Sequence, residues 1–318
     1  MSVVELNGVS ICYITGDLKN IGLKETVMRK LTGKYQVKKF WADKDVTFSL
    51  EKGDMLGIVG TNGAGKSTLL KAVTGIMDPT EGTVVTNGKI AALLELASGF
   101  DPELTVKENT YLRGALLGYT RDFMNQKYEE IIEFAELEEF QEHMFKQLSS
   151  GMKSRLGFSI ACLVNPDIII LDEVLSVGDG AFRDKSSRRM REILDGGMTG
   201  MLVSHSVGQV RDLCNKVLWL DHGKQIAFGD MQPICDAYEH YLATPKKAQV
   251  LPGSMEEIQD ISRKYRLYLL LSAKERADNH NNELIMKESV NARENRWMKI
   301  IQEMKDDERE ELYAKYKI

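Results

Sequence analysis

The chain has 318 residues, 43% hydrophobic and 28% charged, with 47 acidic against 42 basic side chains and a formal net charge of −5. That length holds one large domain with an appendage, or two domains, and the dispersed negative balance disfavours a surface built mainly for nucleic acid. The four cysteines, Cys12, Cys162, Cys214 and Cys235, form no C-x-x-C pair, so a zinc site or disulfide framework is not expected, and reduced thiols of a cytoplasmic protein are. The N-terminus lacks the basic-then-apolar pattern of a secretory leader. No apolar run approaches the ~18–20 residues of a membrane span, so a membrane role would be peripheral.

In chain order, Val3 to Tyr13 reads as a strand. Residues 17–38 read as an inserted segment, with Leu23, Val27 and Leu31 at spacing four beside Lys24, Arg29 and Lys30, a short amphipathic helix. Strand character resumes at Val46 to Phe48, ahead of a turn at Glu51 to Asp54. Met55 to Val59 is a short apolar strand, and Leu69, Leu70 and Val73 behind it have helical spacing. Between them, Gly60 to Ser67 fits the phosphate-binding pattern G-x-x-x-x-G-K-[ST] in the strand–loop–helix setting that pattern requires. Glycines let the backbone turn tightly and aim N–H groups at phosphate oxygens, and the helix N-terminus adds partial positive charge. Gly60, Thr61, Asn62, Gly63, Ala64, Gly65, Lys66, Ser67 and Thr68 are therefore expected to hold a nucleotide. Lys66 would reach the β- and γ-phosphates, and the Ser67 hydroxyl would ligate Mg²⁺.

Asp78 to Gly82 is a turn, and Thr83 to Thr86 a strand. From about 102 to 165 the pattern becomes helical, opened by Pro102 and Thr105, with an apolar face at Ile131, Ile132, Phe134 and Ala135. Asp167 to Asp172 and Gly200 to Ser204 are short apolar runs suited to buried parallel strands. Lys216 to Asp221 and Lys224 to Phe228 read as a hairpin around His222-Gly223. This is an α/β core with a helical insert. Thr244 to Gly253 reads as a linker, and residues 254–318 as helices. Met255, Ile258, Ile261, Tyr265 and Leu269 form one apolar face, and Trp297, Ile301 and Met304 another. Mixed charge on the opposite faces suits a small bundle or a dimer contact better than a membrane-surface helix.

The apolar strand ending at Asp172-Glu173 completes a nucleotide site. Asp172 is placed for Mg²⁺, and Glu173, one residue on, for polarising the attacking water as general base. Just upstream, Leu148-Ser149-Ser150-Gly151-Met152 opens a helix. In this company the string resembles the signature loop of ATP-binding-cassette ATPases. That resemblance implies a P-loop NTPase fold of the ABC ATPase type, a mixed sheet core with antiparallel β and helical subdomains. It covers residues 1–243, with the helical subdomain at about 102–165 and the inserted helix at about 17–38. A linker at 244–253 and a C-terminal α-helical extension at 254–318 would follow.

The resemblance also implies ATP and Mg²⁺ as ligands, and a homodimer in which Ser149 and Gly151 of one copy cover the γ-phosphate held by the P-loop of the other. Ser176 to Asp179 matches the loop whose Asp179 communicates across the dimer, and His205 matches the switch histidine that bonds the γ-phosphate. Tyr13 matches the aromatic residue that stacks on adenine, with Trp41 as competitor. Two departures stand out. Ser150 and Met152 replace a glycine and a glutamine of the common signature loop. The stretch Leu93 to Asn109 lacks the glutamine that usually senses Mg²⁺ and the membrane partner; Glu95 is its nearest polar residue.

Leu93 to Phe100 followed by Pro102 to Thr105 and Glu108-Asn109 resembles the ATPase subunits of polysaccharide exporters for O-antigen, capsule and teichoic acid. So do Phe40-Trp41-Ala42, Ser149 to Met152 and Asp172 to Asp179. The subgroup implies an integral-membrane permease in trans, a lipid-linked glycopolymer as indirect cargo, no nucleic acid, and a place at the cytoplasmic face of the membrane. The 17–38 insert is expected near the permease, gating the polymer entrance or only elaborating the surface. An ATPase for another exported substrate, a soluble cassette acting on ribosomes or DNA, and an ATP-binding switch remain alternatives. A single P-loop and the absence of C-x-x-C disfavour the second, and Glu173 with His205 the third.

Overall fold

The computed structural model describes residues 2–16, 37–92, 99–164, 166–172, 180–278, 290–316 and 318. The expected helix at 17–38 falls almost wholly outside the described residues, as do Glu95, Glu173 and Asp179. The chain divides into two compact units, one of residues 1–205 with 220–225, the other of 206–219 with 226–318.

The first unit is built on strands β1 (Ser2–Gly16), β2 (Val37–Glu51), β3 (Met55–Val59), β4 (Glu81–Thr86), β5 (Ile90–Ala92), β6 (Ile168–Asp172) and β7 (Thr199–Val203), with residues 220–225 supplying the end of β8 (Lys216–Asp221) and the start of β9 (Lys224–Asp230). The strand order is β4-β1-β2-β9-β8-β3-β7-β6-β5. Pairing is antiparallel at β1–β2 and β1–β4 and parallel among β3, β7, β6 and β5. The parallel strands read as apolar runs because every residue of β3 and β7 is buried.

β2 begins at Val37, not near Val46. Lys38, Lys39, Asp43, Lys44 and Asp45 hide this half from a hydrophobicity reading, yet it is paired with β1 down to Gly16↔Val37. Asp45 has a φ of 55°, and the register shifts between the pairs Val9↔Val46 and Ile11↔Asp43. Such a bulge reverses which face successive side chains occupy. Beyond it Val46, Phe48 and Leu50 point inward; before it the polar Asp43 is buried beside Ala42.

The helical stretch contains α2 (Val106–Leu116), α3 (Arg121–Ala135) and α4 (Ser150–Leu163). Thr105 caps α2: its hydroxyl accepts from Glu108 N–H while the Glu108 carboxylate accepts from Thr105 N–H. These hydrogen bonds hold the Glu108 carboxyl below its ordinary range. Asn109, fully buried, donates to the carbonyls of Asp101, Leu104 and Thr105 and accepts from Asp101 N–H. The Glu108-Asn109 string is thus accounted for by local folding. Ile131, Ile132 and Ala135 are buried against Leu156, Ile160 and Leu163.

The second unit contains α6 (Val207–Leu213), α7 (Met231–Ala243), α8 (Met255–Asp278), α9 (Val290–Glu303) and α10 (Asp306–Tyr316); α1 (Lys66–Val73) and α5 (Gly180–Asp195) belong to the first. Its hub is Asp236 on α7, which is buried. Asp236 accepts from Arg211 Nη2 at 2.6 Å, from Gln232 Nε2 at 3.0 Å and from Ser262 Oγ of α8 at 2.6 Å. Arg211 also bonds Glu239 at 2.8 Å. The buried stripe of α8 runs Ile258, Ser262, Tyr265, Tyr268 and Ser272, whereas Leu269, expected on it, is 43% exposed. The apolar period passed over serines, but Ser262 is drawn inward by the Asp236 carboxylate, and Leu267 with Tyr268 is buried in place of Leu269.

Removing a buried carboxylate that satisfies three donors is expected to cost about 3 kcal/mol. Ser262→Ala, which leaves Arg211 and Gln232 on the carboxylate, is expected to cost about 1 kcal/mol. Equilibrium urea unfolding of Asp236→Ala and Ser262→Ala checks the ranking; equal losses would refute Asp236 as the hub.

Candidate nucleotide site

β3 delivers the chain to Gly60, and the loop that follows turns through φ values of 151° at Gly60, 80° at Gly63 and 107° at Gly65. Its rear face is tightly packed. A Cβ on Gly60 would overlap the Leu220 carbonyl, and one on Gly65 would overlap an Asp43 carboxyl oxygen and lie 2.8 Å from the Ala42 carbonyl. Only glycine permits this approach. The turn beyond β8 completes the seat: Gly223 N–H donates to the Ala64 carbonyl at 3.0 Å, and Lys44 N–H to the Gly223 carbonyl at 2.7 Å.

Helix α1 starts at Lys66 with Gly65 as N-cap and no side-chain cap on its first-turn N–H groups, which leaves a helix terminus suited to an anion. Lys66 is buried, and its ammonium donates to the carbonyls of Gly60 at 2.7 Å and Thr61 at 3.0 Å.

A cavity of about 400 Å³ opens in front of the loop, lined by Asn62 through Thr68, with Tyr13, Phe40, Ala42, Val203 and His205 around it. Nine of the expected site residues therefore meet at one cavity: Tyr13, Asn62, Gly63, Ala64, Gly65, Lys66, Ser67, Thr68 and His205. Tyr13 sits opposite Phe40 in the β1–β2 register, and Cys12 opposite Trp41. Strand alternation sends Trp41 to the other face, and it is not among the lining residues. Phe40 is the aromatic residue that sequence reasoning missed. Its signal was positional, since pairing along the ribbon places it across from Tyr13.

Asp172 ends β6 with its backbone beside Val203 of β7, one of the lining residues. The Ser67 hydroxyl and a carboxylate at position 172 are hard oxygen donors, a set that fits Mg²⁺. Ser149 caps α4, its hydroxyl accepting from Met152 N–H at 3.2 Å, and Gly151 lies in the first turn. Neither lines the cavity.

Asp43 was not singled out by its sequence setting. It is fully buried, neither carboxyl oxygen has a hydrogen-bond partner, and burial pushes its pKa from 3.8 up to about 7.

A glycine loop seated on a helix N-terminus, a buried lysine and an aromatic pair around one cavity define a P-loop nucleotide-binding protein. The ABC transporter family matches residues 44–176. The O-antigen export system ATP-binding protein RfbB of Klebsiella pneumoniae is 44% identical over 206 residues, covering 65% of this chain and 84% of that protein. The teichoic acids export ATP-binding protein TagH of Bacillus anthracis is 40% identical over 239 residues, 75% of this chain and 42% of that protein. The fold is similar to an ATP-binding subunit of an ABC transporter (TM-score 0.59, 22% identity, 83% of this chain and 100% of that chain). It is also similar to a dimeric post-hydrolysis ATP-binding cassette with ADP and Pi (TM-score 0.56, 23% identity, 72% of this chain and 98% of that chain). The chain belongs to the ABC transporter family, as an ATPase subunit.

The raised Asp43 carboxyl has a stability consequence. Because the folded state keeps this proton to about pH 7 and the unfolded chain releases it near 3.8, folding loses stability as pH rises from about 4 to 7, then levels off. Three pKa units correspond to about 4 kcal/mol. Asp43→Asn is expected to melt progressively higher relative to wild type between pH 5 and 8. A difference that does not change with pH would refute the buried acid.

Proposed function

We propose that this chain is the ATP-hydrolysing subunit that powers export of a lipid-linked cell-surface glycopolymer through a separate membrane permease. The observation that carries the reading is the 44% identity to an O-antigen export subunit across 84% of its length, joined by 40% identity to a teichoic-acid export subunit. One relative is named for O-antigen export and the other for teichoic acids export, and these names together point to a cell-surface glycopolymer as the substrate class. No helix among the described residues is long and apolar enough to cross a membrane. We assign the membrane path to the permease, with this subunit at its cytoplasmic face and the 17–38 insert beside it. Residues 1–243 are read as the cassette and 254–318 as a helical extension of it.

The chemistry is read from the chain's own groups. Lys66, whose ammonium bonds the carbonyls of Gly60 and Thr61, would exchange them for β- and γ-phosphate oxygens. The loop N–H groups and the start of α1 hold the phosphate chain. Tyr13 and Phe40 supply flat apolar faces for adenine. Mg²⁺, held by Ser67 and Asp172, would neutralise charge between the β- and γ-phosphates. Glu173 takes the proton of the attacking water, and His205, already at the cavity, bonds the γ-phosphate.

Ser149 and Gly151 are assigned to the site of a second copy. Their place at the N-terminus of α4, away from their own chain's cavity, supports that reading. Asp179 is assigned to the contact between the two sites. A homodimer of this kind closes only when both sites hold nucleotide, because each nucleotide adds affinity to the closed form alone.

Glu173→Gln is expected to keep nucleotide affinity and lower phosphate release at least ~100-fold, the scale of a lost general base. Hydrolysis within a few-fold of wild type would remove Glu173 from that role. For the aromatic platform, Tyr13→Ala and Phe40→Ala are each expected to weaken ATP binding about tenfold, within the ~1–3 kcal/mol of base stacking. Trp41→Ala should leave binding nearly unchanged; the reverse pattern in a fluorescent-ATP titration would return the role to Trp41. Co-purification with a membrane permease, and loss of surface glycopolymer on gene deletion, test the transport assignment.

A further inference from the structure

We propose that Asp43 is a positioning residue of the P-loop that links nucleotide binding to a proton: the loop holds nucleotide tightly while the Asp43 carboxyl is protonated and more weakly once it ionises. The inference rests on the nucleotide reading above and adds to it a titratable group outside the family's site residues.

Three observations place Asp43 at the loop. Its carboxyl oxygen lies where a side chain on Gly65 would be, directly behind the residue that caps α1. The neighbouring Ala42 contributes its carbonyl to the same contact and also lines the nucleotide cavity. Finally, neither oxygen of this fully buried group is hydrogen-bonded. A structural aspartate in such a place is normally satisfied by backbone donors. This one faces a glycine and a carbonyl, and accepts nothing.

The sign of the coupling follows from charge. A triphosphate on the front of the loop brings several negative charges close to the carboxyl at its back, through a low-dielectric wall that screens them poorly. The charged carboxylate and the nucleotide therefore disfavour each other, and the protonated acid removes the conflict. By linkage, nucleotide binding must raise the affinity of Asp43 for its proton, and protons must be taken up when nucleotide binds. Burial already lifts this carboxyl to about 7, so the uptake falls in the physiological range.

Other charged groups around Asp43 set the background of any pH profile. They are Lys44 and Asp45 on its own strand, Lys66 on α1, and Asp221, His222 and Lys224 at the β8–β9 turn; on β1 the residue across from it is the apolar Ile11, followed by the titratable Cys12 and Tyr13. Asp221 and His222 already bond one another at 2.9 Å. His205 lines the nucleotide side of the cavity, and the terminal phosphates of the ligand carry their own proton equilibria near neutrality. All of these are shared by wild type and a variant changed only at position 43.

The test is calorimetric titration of the full chain with Mg²⁺ and a non-hydrolysable ATP analogue, from pH 6 to 8.5, in paired buffers of different ionisation enthalpy. For wild type, we expect affinity to fall about tenfold more across this range than for Asp43→Asn, the effect of a one-unit upward shift on binding. A net proton uptake near pH 7.5 should be present in wild type and missing in the variant. At pH 6 the two proteins should bind alike; a merely structural role would instead shift affinity by the same factor at every pH. Asp43→Ala serves the same comparison if the amide does not fold. Equal pH slopes and equal proton counts in wild type and variant would overturn the proposal. No binding by wild type at any pH would instead overturn the nucleotide reading on which it rests.

Discussion

The site depends on a contact made from behind. The loop from Gly60 to Gly65 keeps its shape because β2 and the turn after β8 lie against its rear with no room for a side chain between them. Left-handed or otherwise unusual backbone costs a non-glycine residue about 1–3 kcal/mol, so the sequence places glycine at each such point and lets packing hold the rest. Ala64 and Gly223 join the two segments through a backbone hydrogen bond. The front of the loop, with its N–H groups and Lys66, is thereby fixed before any ligand arrives, which spares binding the entropy of ordering it.

The same ribbon of β1 and β2 that seats the loop also carries the aromatic pair. Tyr13 and Phe40 are cross-strand partners, so the distance from this aromatic pair to the glycine loop is set by strand geometry. The bulge at Asp45 is central to this arrangement. The register shifts on both sides of the Ile11↔Asp43 pair, so Asp43 is buried against the loop while Phe40, of the same parity as Val46, lines the cavity.

These features divide by how far apart their causes lie in the chain. The strand–loop–helix around Gly60 to Ser67 was legible because glycine spacing and apolar runs are local. So were β6, β7 and the helices near Ile131, where periodicity alone decides. The first half of β2 was not legible, because five charged residues mask a strand whose stability comes from pairing with β1. Phe40 and Asp43 were missed for a related reason: their facing is set by pairing with β1 that shifts on both sides of Asp43, and no composition or period encodes those shifts. The buried stripe of α8 was misread in part: Ser262 belongs to it because it bonds a carboxylate twenty-six residues away, and Leu267 and Tyr268 are buried where Leu269 was expected. Trp41 drew attention by its chemistry, but alternation along the strand gave the position to its neighbour.

The bond from Ser262 to Asp236 bears on how freely such subunits exchange parts. Asp236 sits on α7, inside the stretch read as the cassette, and one of its three donors comes from beyond the linker. A hybrid that joined residues up to 243 to a foreign tail would inherit a buried carboxylate built for a hydroxyl at a fixed place. Exchanging this end of the chain therefore means changing the acid and its donor together, with α7 and the tail moved as one unit.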